Sequence, residues 1–231
     1  MMFIPVASSS KGNAYWVTDG DSAILLDCGL TLKELRKRAP LPLSSTDACF
    51  VTHEHGDHSK CAARLIGMGM PVYMSEGTAR ALDLEDAWVM DSGETIAVGA
   101  LRIMSFPVFH NTAQPFGYLI YDTHSRDKLL FALDTVNLNV IVPDLTQIAI
   151  ECNYSEDLLS RLTKLPDKTK DRIRRSHMEL ETAITYIHKL DTSRVRTIYL
   201  MHLSSGSGDA CRFQTRFAQE FPHIETIICE E

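Results

Sequence analysis

Nothing in this 231-residue sequence looks like a secreted or membrane-embedded chain. No apolar run approaches the roughly 20 residues that span a bilayer, so no membrane partner is expected. The opening "MMFIPVASSSKGN" lacks a basic segment and is broken by Pro5, so it does not read as a signal peptide. The six cysteines include no C-x-x-C pair, and Cys28, Cys49, Cys152 and Cys229 lie in or beside apolar runs. Reduced, buried thiols in a cytoplasmic protein are therefore expected, not a disulfide framework. Internal repeats, low-complexity tracts and linkers are also missing. With 45% hydrophobic residues, one domain over 1–231 with a sizeable core is expected.

Positive charge is scarce overall. The formal net charge of −7 argues against generic nucleic-acid binding, because phosphate contacts need Lys and Arg. One segment departs from this. "RLTKLPDKTKDRIRR", 161–175, holds seven basic and two acidic residues, a local +5. It reads either as a solvated helix face or as a strip that tracks a phosphate backbone.

Short apolar or alternating runs in the first half read as strands: "AYWVTDG", "SAILLDC", "DACFVTH", "PVYMS", "ETIAV", "LRIMSFPVF", "FGYLIYD" and "KLLFALD". "TLKELRKRA", "KCAARLIGM" and "EGTARALD" read as helices between them. "QIAIEC", "VRTIYLMHLS" and "IETIICEE" continue the strands, and "SEDLLSRLTKL" and "DACRFQTRFAQEF" the helices. "MELETAITYIHKL" puts Leu180, Ala183, Ile184, Ile187 and Leu190 on one helical face. This order suits two mostly antiparallel sheets with covering helices.

The chemistry concentrates in "VTHEHGDHSK", behind the apolar run "DACFV". His53 and His55 are two apart and share a side if the backbone stays extended. Asp57 and His58 follow the turn residue Gly56 and can face the same space. Imidazole nitrogens and a carboxylate oxygen in this spacing form a metal-ligand pattern, suited to zinc or manganese alike. His124, His188 and His223 read as ordinary surface or packing residues.

The motif "THEHGDH" resembles that of the metallo-β-lactamase superfamily. The resemblance implies an α/β fold, the αββα sandwich of two mixed β-sheets flanked by helices. It implies further ligands at downstream strand ends: His110 after "LRIMSFPVF", Asp134 ending "KLLFALD" and His202 after "TIYLM". Asp27, ending "AILLD", matches the early supporting aspartate. Two divalent metal ions are implied, one held by His53, His55 and His110, the other by Asp57, His58 and His202, with Asp134 bridging. Metal lowers the pKa of bound water from about 15.7 towards roughly 7, which makes a nucleophile at neutral pH. Asp57 would help orient it.

More narrowly, "SSSKGNAYWV", "LLDCGLTLKEL", "HNTAQPFGYLI", "ECN" and "HLS" resemble the small single-domain DNA exonucleases of the WalJ/YycJ type. That resemblance implies a metal-dependent phosphodiesterase or nuclease, an exodeoxyribonuclease with DNA as its partner. Ser9, Ser10 and Asn13 would then donate to phosphate, or simply form a hairpin turn. Arg172, Arg174 and Arg175 would contact the strand, and His177 would add a catalytic cationic or hydrogen-bonding contact. The alternatives are a small-molecule hydrolase of the same fold, such as a glyoxalase II-like thioesterase or a lactonase, and a non-enzymatic binding module.

Overall fold

Helices separate most of the strands that pair in parallel, and this decides the sheet pattern. A computed structural model describes residues 1–230. They divide into two units, Met1–Pro107 with Thr112–Asp127, and Val108–Asn111 with Lys128–Glu230.

The first unit holds β1 (Met2–Ser9), β2 (Gly12–Thr18), β3 (Ala23–Leu26), α1 (Leu32–Arg38), β4 (Ala48–Phe50), α2 (Gly56–Ser59) and α3 (Ala62–Gly67). It continues through β5 (Val72–Met74), α4 (Glu76–Ala81), β6 (Trp88–Val89), β7 (Thr95–Val98), β8 (Leu101–Pro107) and β9 (Phe116–Asp122). Strands β1 to β6 form a sheet in chain order. The first three pair antiparallel and the rest parallel. Strands β7, β8 and β9 pair antiparallel.

Strand β1 was not expected from the sequence. Pro5 breaks its pattern, but the strand lies at a sheet edge with a bulge between Pro5 and Ala7, where proline is tolerated. Helix α1 starts at a capping box. Thr31 Oγ1 accepts from Glu34 N, and Glu34 Oε2 accepts from Thr31 N. The helix stops before Pro40, which has no amide hydrogen to continue it. Every residue of β3 and β4 is buried, which is why they read as unbroken apolar runs. The core around them includes Trp16, Leu25, Cys49, Val51 and Leu65. Trp16 donates its indole N–H to Thr46 Oγ1 at 3.0 Å, so its burial leaves no polar atom unpaired.

The second unit holds β10 (Lys128–Ala132), β11 (Gln147–Glu151), α5 (Glu156–Arg161), α6 (Asp167–Ser176), α7 (Leu180–Ile187), β12 (Thr197–Met201), α8 (Ala210–Glu220) and β13 (Glu225–Ile228). Its four strands are parallel throughout. The expectation of mostly antiparallel sheets is therefore corrected. Parallel neighbours need long crossovers, and α1, α2 with α3, α5 to α7, and α8 supply most of them. The apolar face of α7 is buried as expected, at Leu180, Ala183, Ile184 and Ile187, with Leu190 just beyond the helix. The 161–175 segment is not one helix. It breaks at Leu162–Leu165, and α6 begins after Pro166.

All six cysteines are free and only Cys211 is exposed. Burial pushes the Cys61 thiol up to about 11 and the Cys229 thiol up to about 12, away from the reactive thiolate. Among the described residues no helix is long and apolar enough to cross a membrane.

Candidate metal centre

In the first unit the polar residues gather where β3 and β4 end. Asp27 follows β3 with φ of 56°, a left-handed conformation that costs an L-residue free energy and clusters at functional sites. Its buried Oδ1 accepts from Thr52 N at 2.8 Å and from Thr52 Oγ1 at 3.0 Å, and Oδ2 lies 2.7 Å from His58 Nδ1. An ionised carboxylate only accepts, so His58 Nδ1 carries the hydrogen and Nε2 presents a lone pair. The Thr52 hydroxyl has given its hydrogen to Asp27, so at 3.0 Å it accepts from His53 Nδ1. His53 Nε2 is then the acceptor, 3.1 Å from His55 Nδ1. One carboxylate thereby sets the tautomers of two candidate ligands, the support that metal-binding imidazoles usually have. Burial pushes the Asp27 carboxyl above its ordinary value, and the charge and hydrogen bond of His58 draw it part of the way back.

Asp57 and His58 sit on α2, which opens at Gly56, so the expected turn is the start of a short helix. Its position is fixed from behind by Gly29. A Cβ on Gly29 would stand 1.7 Å from the Asp57 carbonyl oxygen. Glu54, in the middle of the motif, accepts from Ala113 N at 2.7 Å and secures the loop.

Asn13, read from the sequence as a phosphate donor or a hairpin-turn residue, lies in the first hairpin. Its side chain is buried, and Nδ2 donates to the carbonyls of Ser9 at 3.1 Å and Asp57 at 3.2 Å. It clamps the metal-motif loop to the first hairpin. Ser9 pairs with Gly12 across that hairpin, whose turn holds the exposed Ser10.

The second unit brings His110, Asp134, Glu151, His177 and His202 together. Asp134 and His202 follow β10 and β12 with φ of 48° and 57°, left-handed like Asp27. Such backbone turns each side chain away from the direction its strand would give it, and no sequence pattern announces it. Asp134, Glu151, His177 and His202 offer ligand atoms all within 4.8 Å of one another. His110 Nδ1 lies 2.8 Å from the Ser176 carbonyl, which can only accept, so Nε2 carries the lone pair. That nitrogen stands 3.5 Å from Asp134 Oδ2. Two acceptor atoms aimed at one space suit a shared cation. Burial lowers the pKa of His110 despite the opposing charges of Asp134 and Glu151, which keeps the ring neutral as a ligand must be.

Glu151 was not singled out in the sequence beyond its place in "ECN". It ends β11, fully buried. Its Oε2 accepts from Thr135 N at 2.8 Å and Met178 N at 3.2 Å, and its Oε1 lies 2.6 Å from His177 Nδ1. Burial alone would raise this carboxyl. The charge and hydrogen bond of His177, with a hydrogen bond from His202, outweigh it and hold the carboxyl below its ordinary value. His177 shows the reverse balance. Burial lowers it, Glu151 outweighs burial, and the imidazole holds its proton above the ordinary histidine range. The available signal was a carboxylate closing an otherwise apolar strand, "QIAIE". His202 is tied down by Asn153 Nδ2, which donates to its carbonyl at 2.8 Å, and His202 Nδ1 lies 3.1 Å from Asp134 Oδ1.

The family model for the β-lactamase superfamily domain matches residues 22–203, from before Asp27 to just beyond His202. The chain belongs to the β-lactamase superfamily. Its fold is the metallo-β-lactamase fold, two mixed β-sheets flanked by helices, and it is a hydrolase of that superfamily. The chain is 28% identical over 217 residues to exodeoxyribonuclease YycJ of Bacillus anthracis, covering 87% of this chain and 82% of that protein. It is 28% identical over 219 residues to exodeoxyribonuclease WalJ of Streptococcus pneumoniae, covering 86% and 80%. The metallo-β-lactamase fold protein YhfI from Bacillus subtilis superposes with a TM-score of 0.76 at 16% identity, covering 99% of this chain and 95% of that one.

The basic run is sorted by its helix. Arg174 is held by Glu156, at 2.6 Å and 3.0 Å, and by Asp171 at 3.1 Å. Lys170 is buried and its Nζ donates to the Ser160 carbonyl. Arg172 and Arg175 instead line a cleft. Apart from the exposed Lys164, the cations of the run are thus divided between ion pairs, a buried position and the cleft. His188 pairs with Glu220 at 2.9 Å, His124 lies in a turn, and His223 is exposed.

Proposed function

We propose that this hydrolase is a divalent-metal-dependent phosphodiesterase acting on nucleic acid, an exodeoxyribonuclease with DNA as substrate. The observation that carries the reading is likeness across more than four-fifths of the chain to two proteins named as exodeoxyribonucleases. The donor chemistry of each unit supports it. We assign one metal to His53, His55 and His110 and a second to Asp57, His58 and His202, with Asp134 shared. Zinc and manganese both suit these nitrogen and oxygen donors. We treat residues 1–231 as one functional domain, and its five buried, unbridged thiols support a cytoplasmic location.

Bound cations would offset charge on the attacking and leaving oxygens of a phosphodiester and activate water. The chain's own residues do the rest. Asp27 and Thr52 hold His58 and His53 in the ligand tautomer. The Ser176 carbonyl does the same for His110. Asp57 orients the attacking water. Glu151 keeps His177 protonated through Nδ1, so that Nε2–H can donate to the leaving oxygen, the general-acid role in bond cleavage. Ser9 and Ser10 at the hairpin tip remain candidate donors to a flanking phosphate.

The test is degradation of end-labelled single- and double-stranded DNA and RNA with zinc, manganese or magnesium. Progressive shortening of DNA is expected. No cleavage of any nucleic acid, with brisk hydrolysis of a thioester, would move the assignment to a glyoxalase II-like activity.

A further inference from the structure

A cleft of about 540 Å³ opens in the second unit between α6 and the residue after His110. It is lined by Asn111, Lys168, Thr169, Arg172, Arg175 and Ser176. Lys168, Arg172 and Arg175 stand four and seven residues apart on α6, so they share one helical face. Among the described residues none of the three has an ion-pair partner. The single acid lining the cleft, Asp171, is already bonded to Arg174. Thr169 and Asn111 add a hydroxyl and an amide that can donate.

Three of the four other cations of the 161–175 run are engaged elsewhere, and the fourth, Lys164, is exposed and does not line the cleft. Arg161 faces Asp157, Arg174 faces Glu156, and Lys170 is buried. A surface that tracked a nucleic-acid backbone would spread its charge along the strand. This one confines three cations to a single pocket. Their charge fits one dianionic group better than a row of singly charged diesters. A phosphate monoester carries about −1.5 to −2 at pH 7, and arginine forks bind its oxygens in pairs. The pocket also adjoins the ligand set of its unit. Ser176 lines it, and the carbonyl of Ser176 is the group that orients His110.

We infer that this cleft is a subsite for the terminal phosphate of a polynucleotide strand, so that the enzyme recognises a phosphorylated end and not only the scissile diester. The inference rests on the nuclease reading above. A phosphate at the 5′ or the 3′ end offers the same chemistry, and the experiment separates them.

The manganese-loaded protein is assayed on one DNA duplex prepared with a 5′-phosphate, a 3′-phosphate or hydroxyl ends. The same series is run on Arg172→Gln, Arg175→Gln and the double variant, with metal content and Tm measured for each. One phosphorylated end is expected to raise kcat/KM about ten- to hundredfold over hydroxyl, the range of a few charge-assisted hydrogen bonds. That ratio should fall in each single variant and approach one in the double variant at unchanged metal content. Equal cleavage of all three substrates by the wild type overturns the subsite and leaves the nuclease reading standing. So does an end preference that survives in the folded variants. No DNA cleavage at all, with bis-p-nitrophenyl phosphate still hydrolysed, removes the nuclease reading and the subsite with it.

Discussion

Replacing Asp27 by asparagine should weaken metal binding while leaving the fold almost as stable as before. The carboxylate makes three contacts at its own strand end, to Thr52 N, Thr52 Oγ1 and His58 Nδ1. An asparagine carbonyl in place of Oδ1 keeps the first two. Its amide then faces His58 Nδ1, where a donor meets a donor. His58 must shift its hydrogen to Nε2, and the lone pair intended for a metal is lost. Removing a buried charge that burial disfavours offsets the weaker hydrogen bonds, so apo-protein stability should change by only about 1 kcal/mol. Loss of a supporting carboxylate typically lowers metal affinity about 10- to 100-fold. That is about 1.4 to 2.7 kcal/mol of binding free energy. Asp27→Ala differs, because it strands the buried Thr52 N–H at about 1–3 kcal/mol and should lower Tm as well. Chelator competition gives the affinity, denaturant unfolding of the chelated protein gives the stability, and nitrogen chemical shifts of His58 give the tautomer. Wild-type affinity in Asp27→Asn, or a hydrogen still on Nδ1, refutes the proposed role.

Asp57→Ala should stay folded by circular dichroism and lose most hydrolysis; near-normal turnover in a metal-loaded variant contradicts its assignment. Gly29→Ala forces a methyl against the Asp57 carbonyl, which is backbone and cannot swing aside, so unfolding should show a loss of at least about 1–3 kcal/mol. An unchanged unfolding midpoint would mean that α2 yields freely. Glu151→Gln should bring the midpoint of the His177 titration down, and with it the alkaline limb of the pH–rate profile. An unmoved midpoint removes Glu151 as the group that holds that proton. Asp157, paired with Arg212 at 2.8 Å and 2.9 Å, should titrate near its depressed value of about 2. In Arg212→Gln that midpoint should return towards the ordinary aspartate range, as carboxyl NMR shifts would show.

The candidate ligand residues were legible in the sequence because histidines and aspartates at strand ends are visible as letters. How they are aimed was not legible. Asp27, Asp134 and His202 each leave a strand in left-handed backbone, and aspartate and histidine in that conformation look no different in a sequence. Strand β1 was hidden by Pro5, since a proline argues against a strand until the strand is known to lie at an edge. The sheets read as antiparallel because short apolar runs look alike in either direction. Only the position of the helices between them distinguishes the two. The basic run stayed open between a solvated face and a strip because charge was counted along the chain. The helix places Arg174 with Glu156 and turns Lys168, Arg172 and Arg175 into the cleft. Glu151 escaped notice because one acid in an apolar strand resembles a strand terminus. Its partner His177 lies 26 residues away in the chain.

The most direct measurement is digestion of end-labelled duplex DNA by protein first stripped of metal and then reloaded with zinc or manganese. The stripped protein should be inactive. Reloading should restore stepwise shortening from an end, together with the metal content measured on the same sample. Equal digestion by stripped and loaded protein would contradict the metal-dependent mechanism, and intact DNA under every metal would contradict the substrate.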